Sequence, residues 1–476
     1  MKLFKKNFFG HPYGLLTLFF TELWERFSYY GMSAILLYYL YYSVSNGGLG
    51  LDPALSTQIV AIYGSLVYLS GVLGGFVSDR LLGPYKTVLY GGILIMIGHV
   101  VLTLAEGVIF LFLALTFIII GTGLLKPNIS TMVGLLYDKN DQRKDSAYTI
   151  FYLGINMGSF ISPIVVSYLA DVYNFHVGFL LAAIGMFSAL LIYFLTRKSI
   201  LKQKLLHPNY PLIKKDKIKL IYAASIFILF SLMVIYLNFI GYLNVENVIV
   251  LISIFICLII VGYFVMILSS KKMDKMEINN VIAYIPLFVG AVIFFVLFDQ
   301  THNVLAWFVD TNVSLGWILP SWFQSLNPMF IIILTPIFSW LWSKDDQISD
   351  PIKFVLGLLL AGISFLILAV VLILAGGAKI SSLYLVVVWI ILTLGELLIS
   401  PIGLSLTSKL SPKAFQSQFM SLWFLSTSVS QAICALIVKF YKQDPIMYFI
   451  SLGMISILFG CGLFMFKDRI NSLINV

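Results

Sequence analysis

The chain has 476 residues, of which 60% are hydrophobic, 15% aromatic and only 11% charged. That composition excludes a soluble domain and describes a polytopic membrane protein. The formal net charge of +9 raises a nucleic-acid partner as an option, which the placement of the charges removes below. Cys257, Cys434 and Cys461 lie in apolar stretches without metal-ligand spacing and are read as small core residues, so neither a metal nor any other cofactor is expected.

The basic start, Met1 to Lys6, leads into an apolar stretch from Tyr13 to Val44. The stretch is too long for a cleaved signal and carries charges, so it reads as a retained first span. Each charge at mid-membrane costs about 2.5 to 3.5 kcal/mol on insertion scales, yet Glu22, Glu25 and Arg26 sit here together. With Tyr29 and Tyr30 they fall at i, i+3, i+4, i+7 and i+8, one face of a helix. Such a face is tolerable only toward a polar cavity or among its own members. Buried ionisable groups in a membrane helix mark a substrate or ion pathway, which points to a transporter.

Hydropathy predicts fourteen spans, near 14–43, 57–78, 87–105, 108–133, 146–170, 176–196, 218–242, 246–269, 281–304, 321–342, 352–375, 381–408, 414–438 and 446–466. With the N-terminus placed in the cytoplasm, 25 of the 30 Lys and Arg fall on cytoplasmic loops. Lys379, Lys439 and Lys442 fall outside, and Arg26 and Lys126 within spans. This positive-inside distribution sets both termini in the cytoplasm and explains the net charge without nucleic acid. The most polar stretch, Arg197 to Lys219, follows the sixth span. The expected organisation is therefore an all-α membrane protein. Residues 1–200 form one six-helix bundle and 276–476 a second, while 201–275 hold a basic linker and two inserted, lipid-facing spans. After the second span, Gly75-Phe-Val-Ser-Asp79-Arg80-Leu-Leu-Gly83-Pro-Tyr-Lys86 resembles the signature loop of the major facilitator superfamily. There Gly75 would allow close helix approach, and Asp79 and Arg80 would cap helix ends.

Four further spans carry unusual polarity. Lys126 precedes Pro127 at mid-membrane in the fourth, and Asn156 lies within Phe151 to Ser159 of the fifth. Asp299-Gln300 closes the apolar run of the ninth, with His302 beyond it. Glu396 sits in the twelfth, shortly before Pro401. The plainer readings are a structural ion pair for Lys126 and Glu396, an interhelical hydrogen bond for Asn156 and a mouth-facing ring for His302. Among these charges Glu22, Glu25, Asp299 and Glu396 outnumber Arg26 and Lys126. In low dielectric an unpaired carboxylate is favoured as its neutral acid, so the surplus suits a carrier of protons. No His-Glu-x-x-His, Gly-x-Ser-x-Gly or nucleotide loop occurs, which argues against a membrane enzyme. Two bases against four acids argue against a flippase for a lipid-linked substrate.

Glu22-Leu-Trp-Glu25-Arg26-Phe27-Ser-Tyr29-Tyr30 resembles the ExxERFxYY motif of the proton-dependent oligopeptide transporter (POT) family. Phe151 to Pro163 is similar to that family's fifth-helix signature, and the two inserted spans to those of its bacterial members. The resemblance implies a bacterial inner-membrane symporter of the major facilitator fold. It would import di- and tripeptides with protons by alternating access, in a lipid bilayer and as a monomer. It also implies roles by position. Arg26, Tyr30 and Lys126 would hold the peptide carboxylate, and Asn156, Asn327 and Glu396 its amino group. Tyr29, Tyr68, Phe295, Trp423 and Thr427 would line side-chain pockets. Glu22, Glu25, Arg26 and Asp299 would serve proton coupling, and Ser33, Lys126, Pro127, Asp299, Glu396 and Pro401 gating. Two departures stand out: Ser33 replaces an arginine, and Phe298-Asp299-Gln300 replaces two glutamates before the glutamine. The outer-gate ion pair of the pattern is thereby lost. Transport of modified peptides or of another small zwitterion is the alternative.

Overall fold

The structure, a computed structural model, describes residues 7–8, 10–138, 141, 143–200, 203–208, 211, 222, 233, 237, 240–241, 244–270, 273–344 and 349–474. Its long helices are α1 (Tyr13–Tyr41), α2 (Pro53–Val77), α3 (Pro84–Leu104), α4 (Val108–Leu135), α5 (Arg143–Val172) and α6 (Phe175–Leu195). They continue as α7 (Val245–Leu268), α8 (Lys275–Asp299), α9 (Leu326–Lys344), α10 (Asp350–Ala375), α11 (Ser382–Leu410), α12 (Gln416–Gln443) and α13 (Pro445–Met465). Among the described residues, twelve helices, α2 to α13, are long and apolar enough to cross a membrane. The 29-residue α1 is as long and contains Glu22, Glu25 and Arg26. The expected span 218–242 lies outside the described residues, as does much of the linker before it.

Helix starts follow local chemistry. Asp52 accepts from the amides of Ala54 (2.9 Å) and Leu55 (3.2 Å), just ahead of Pro53 at the first helical position of α2. Asp444 and Pro445 repeat the arrangement for α13, and Asp274 with Glu277 forms a capping box for α8. One expected span, 281–304, ends earlier than predicted. Helix α8 stops at Asp299, a tighter turn covers Gln300–His302, and a separate short helix, Val304–Asn312, follows. The break falls at Asn303, whose ψ of −106° is non-helical.

The chain divides into two compact units, Met1–Met32 with Leu66–Ile252 and Ser33–Ser65 with Ser253–Val476. In the first, α5 lies directly on α1. A Cβ on Gly158 would stand 2.4 Å from the Leu23 carbonyl oxygen and 3.1 Å from the Arg26 Cβ. Helix α2 likewise meets α4 through Gly74, where a Cβ would fall 1.8 Å from the Gly123 carbonyl oxygen. The expected close-approach position, Gly75, has open space around it. Neighbouring residues on a helix differ by about 100° in direction, so a loop motif alone does not say which glycine faces the partner. Gly158→Ala should therefore lower the unfolding temperature of the solubilised protein, since overpacking costs about 1–3 kcal/mol. Gly75→Ala should leave it unchanged or raise it; equal loss in both would remove the packing argument.

In the second unit, residues of α2 run along α12 as a polar seam. Ser65 and Ser428 hydroxyls each donate to the other's carbonyl, at 2.6 and 2.8 Å, and Gln58 Nε2 donates to the Ala435 carbonyl at 3.0 Å. The seam ends at Lys442, whose ammonium donates to Asp52 Oδ2 at 2.7 Å. Partial burial pushes the Asp52 carboxyl up, and the Lys442 hydrogen bond with the backbone donors outweighs this, leaving it below the usual carboxylate range. Steps of seven residues on α12, 428 to 435 to 442, keep one side of that helix toward α2. Helix α7 docks by Phe264, 5.2 Å from the Phe288 ring. Its opposite side, Leu251, Phe255, Leu258 and Val265, is more than half exposed, as expected of an apolar face toward lipid.

Candidate functional site

In the first unit the ionisable face of α1 closes on itself. Arg26 is 1% exposed, Glu22 1% and Glu25 0%. The guanidinium donates through Nε to Glu25 Oε2 and through Nη2 to Glu25 Oε1 at 2.6 Å. Such a two-pronged grip uses the planar fork that only arginine has. Glu22 is held more loosely, by one ion-pair contact of 3.3 Å between Arg26 Nε and Oε1. Its Oε2 is buried without a hydrogen-bond partner. Tyr29 and Tyr30 lie beside the guanidinium, at 5.2 and 5.9 Å from their ring centroids. The i, i+3, i+4 spacing thus brings two carboxylates and one cation together, with one of the two carboxylates unequally satisfied.

Lys126 is half-buried on α4, with Nζ 4.5 Å from the Tyr68 ring centroid of α2. The α2–α4 contact at Gly74 and Gly123 puts this lysine in place. Asn128 Nδ2 reinforces the contact by donating to the Gly74 carbonyl at 3.1 Å and to Leu124 at 2.7 Å. Pro127 has no amide hydrogen to offer the helix, and Thr131 donates to the Pro127 carbonyl at 2.9 Å. Asn156 is buried on α5, and its Nδ2 donates to Tyr152 of its own helix at 2.9 Å rather than to another helix.

The second unit holds the remaining acids. Glu396, half-buried on α11, accepts a 2.8 Å hydrogen bond from Asn327 Nδ2 of α9. The same amide reaches Thr393 Oγ1 at 3.2 Å. Asp299, 4% exposed at the end of α8, accepts from the Ser430 hydroxyl of α12, with Gln431 also in hydrogen-bonding reach. Ser430 of α12 thus supplies the hydroxyl that meets this acid. His302 Nδ1 lies 3.3 Å from Gln324 Oε1. The Trp423 ring of α12 meets Phe295 of α8 edge to face, with centroids 6.0 Å apart at 68°. Thr427 is half-buried one turn beyond Trp423. Pro401 lies within α11, between Glu396 and Gly403.

Two polar groupings escaped the sequence reading. Gln300 is buried at 0%, takes a 3.1 Å bond from the Tyr448 hydroxyl and donates at 3.2 Å to Cys434 Sγ. Asp310, in the short helix Val304–Asn312, accepts from Tyr41 (2.5 Å) and Tyr42 (3.0 Å). Tyr38 donates to the Ala306 carbonyl at 3.2 Å. Tyrosines at 38, 41 and 42, one helix face, were the available signal. Among the described residues, no cluster of three or more His, Cys, Asp or Glu is placed to hold a metal ion.

A family profile described as the POT family matches residues 85–456. The chain belongs to the POT family. The relatives of this POT chain include a "Di-/tripeptide transporter" of Lactococcus lactis subsp. cremoris, 46% identical over 487 residues, 98% of this chain and 97% of the relative. An "Uncharacterized transporter YclF" of Bacillus subtilis (strain 168) is 47% identical over 466 residues, 96% and 94%. Among solved structures, a peptide transporter POT in complex with sulfate superposes with a TM-score of 0.96 at 46% identity, covering 98% of this chain and 97% of that one. A POT family transporter in complex with 5-aminolevulinic acid gives 0.94 at 38% identity, covering 98% of each chain. This POT-family chain is accordingly a multi-pass membrane transporter, and the relatives and solved structures it matches are transporters rather than enzymes.

Proposed function

We propose that this chain is a proton-driven symporter that imports di- and tripeptides by alternating access, in the major facilitator architecture of two six-helix bundles plus two inserted helices. The observation that carries this is the separation of charge. The first unit offers a half-buried ammonium, Lys126, and the buried Arg26 guanidinium. The second offers a half-buried carboxylate, Glu396, whose Asn327 partner is itself a polar side chain able to share the task. A peptide is a zwitterion with constant ends and variable side chains. A group of each sign suits one of those ends, while Phe295 and Trp423 suit side chains of varied shape. The peptide relative in Lactococcus lactis supports the same substrate class. The membrane is a bacterial inner membrane, on the strength of short loops without a large extracellular insert, and both termini are cytoplasmic, on the strength of the basic ones.

Coupling follows from the unequal satisfaction of the two α1 acids. Arg26 is neutralised by Glu25 through two hydrogen bonds and by Glu22 through one contact. A proton on Glu22 costs the cluster least, because one of its oxygens already lacks a partner. It also leaves Arg26 able to answer a second anion, the peptide carboxylate. Glu22→Gln should abolish accumulation driven by an imposed pH gradient while keeping peptide-for-peptide exchange in proteoliposomes. Gradient-driven uptake at wild-type rate in that variant would move the proton site, with Asp299 next in line. A second reading, transport of modified peptides or another small zwitterion, is favoured by the structural neighbour that binds 5-aminolevulinic acid. Competition of labelled dipeptide uptake by dipeptides, by peptide conjugates and by 5-aminolevulinic acid separates the two.

A further inference from the structure

Gly403 lies seven residues beyond Glu396 on α11, two turns along the same face. Nothing in the polarity of the sequence draws attention to it, yet the six-membered ring of Trp423 rests directly on its Cα. A Cβ at this position would stand 1.9 Å from Trp423 Cη2, 2.3 Å from Cζ3 and 2.7 Å from Cζ2. Carbon atoms in contact sit about 3.5–4.0 Å apart, so the indole would have to move by about 1.5–2 Å to admit one methyl group.

The surroundings decide what gives. The Gly403 carbonyl accepts from Thr407 Oγ1 at 2.6 Å. That hydroxyl's only hydrogen is then spent, so the Tyr284 hydroxyl of α8 donates to it, at 2.8 Å. Tyr284 is 1% exposed. The α11 backbone at Gly403 is therefore braced and does not retreat. The Trp423 carbonyl is held as well, by the Ser426 hydroxyl at 2.5 Å. Phe295, whose ring meets the indole edge to face, is itself set edge to face against Phe294 at 5.5 Å. The part free to move is the Trp423 side chain.

We propose that Gly403 is a positioning residue that sets the size of the substrate side-chain pocket by letting the six-membered ring of the Trp423 indole lie close against α11. This rests on the reading of Trp423 and Phe295 as pocket walls. A methyl group at 403 presses the indole off α11 and into the pocket it walls with Phe295, which loses the volume that a large peptide side chain needs. Dialanine, which fills little of the pocket, is unaffected.

The test is uptake kinetics in proteoliposomes with dialanine, Phe-Ala and Ala-Phe. In Gly403→Ala the KM for one or both phenylalanine peptides should rise about tenfold or more, the usual worth of a misplaced methylene in an apolar pocket, with kcat and the dialanine KM little changed. Adding Trp423→Phe removes the ring atoms that collide and should restore the phenylalanine-peptide KM. Trp423→Phe alone, in which the wall recedes without any strain at 403, should lower it below wild type. Parallel losses for small and large peptides in Gly403→Ala, or no recovery in the double variant, would overturn the proposal. That parallel loss in Gly403→Ala, beside a wild-type protein that takes up all three peptides, refutes the role of Gly403 alone. One that takes up none of the three refutes the peptide reading itself.

Discussion

Arg26→Ala is expected to abolish both gradient-driven uptake and peptide exchange and to cost much of the protein's stability. The side chain is the sole basic partner that the structure gives Glu22 and Glu25 among the described residues at hydrogen-bonding or ion-pair distance, and all three are almost fully buried. Removing one member of a buried ion group typically costs about 3–5 kcal/mol, because the remaining charge is stranded in low dielectric. That is a large share of the roughly 5–15 kcal/mol by which folded proteins usually exceed their unfolded states. Stability and transport must be read separately. Arg26→Ala combined with Glu25→Gln leaves Glu22 as the one stranded carboxylate, the acid on which a proton costs the cluster least. The double variant should regain most of the unfolding temperature and still fail to exchange peptide, if Arg26 also answers the substrate carboxylate. Recovery of exchange along with stability would reduce Arg26 to a packing element. Arg26→Lys keeps the charge but gives up the paired bonds to Glu25, and should fall between the extremes.

A disulfide across the α2–α12 seam should stop transport completely and reversibly. Ser65 Oγ and Ser428 Oγ lie 3.2 Å apart within the second unit, and both residues are 0% exposed. Side chains that approach so closely suit a disulfide, whose Cβ atoms stand about 3.5–4.5 Å apart. With Ser65→Cys and Ser428→Cys in a background lacking Cys257, Cys434 and Cys461, oxidation should reduce uptake to background and a thiol reductant should restore it. If access alternates as proposed, this seam parts once per cycle, and the cross-link prevents it. Full activity in the oxidised, cross-linked protein would mean that the seam is static and that access alternates elsewhere. The same seam bears on the missing arginine at position 33. The α1 and α2 segments of the second unit are held without it, by Tyr41 and Tyr42 on Asp310, by the reciprocal serines and by Asp52 with Lys442. Asp299, the acid such an arginine would meet, is satisfied by Ser430 instead.

Much of this was legible in the residues alone, and for identifiable reasons. Long apolar runs can satisfy their backbone in lipid only as helices, so span positions follow from hydropathy, and α3, α4 and α6 start and end close to where composition places them. The α1 cluster was legible because its members lie within one turn of one another, where helical periodicity alone brings side chains together. Partners far apart in the chain were not. Ser430 is 131 residues from Asp299, and one hydroxyl among many carries no mark of the acid it serves. Asp310 is 269 residues from Tyr41, the last of α1, and 268 from Tyr42 just beyond it. The choice of Gly74 over Gly75 for the α4 contact, and of Gly403 as the bed of Trp423, turns on helix rotation and on the shape of the opposing surface. Sequence determines which face of each helix is polar or small; which face it meets is a property of packing, decided only when all the helices are in place.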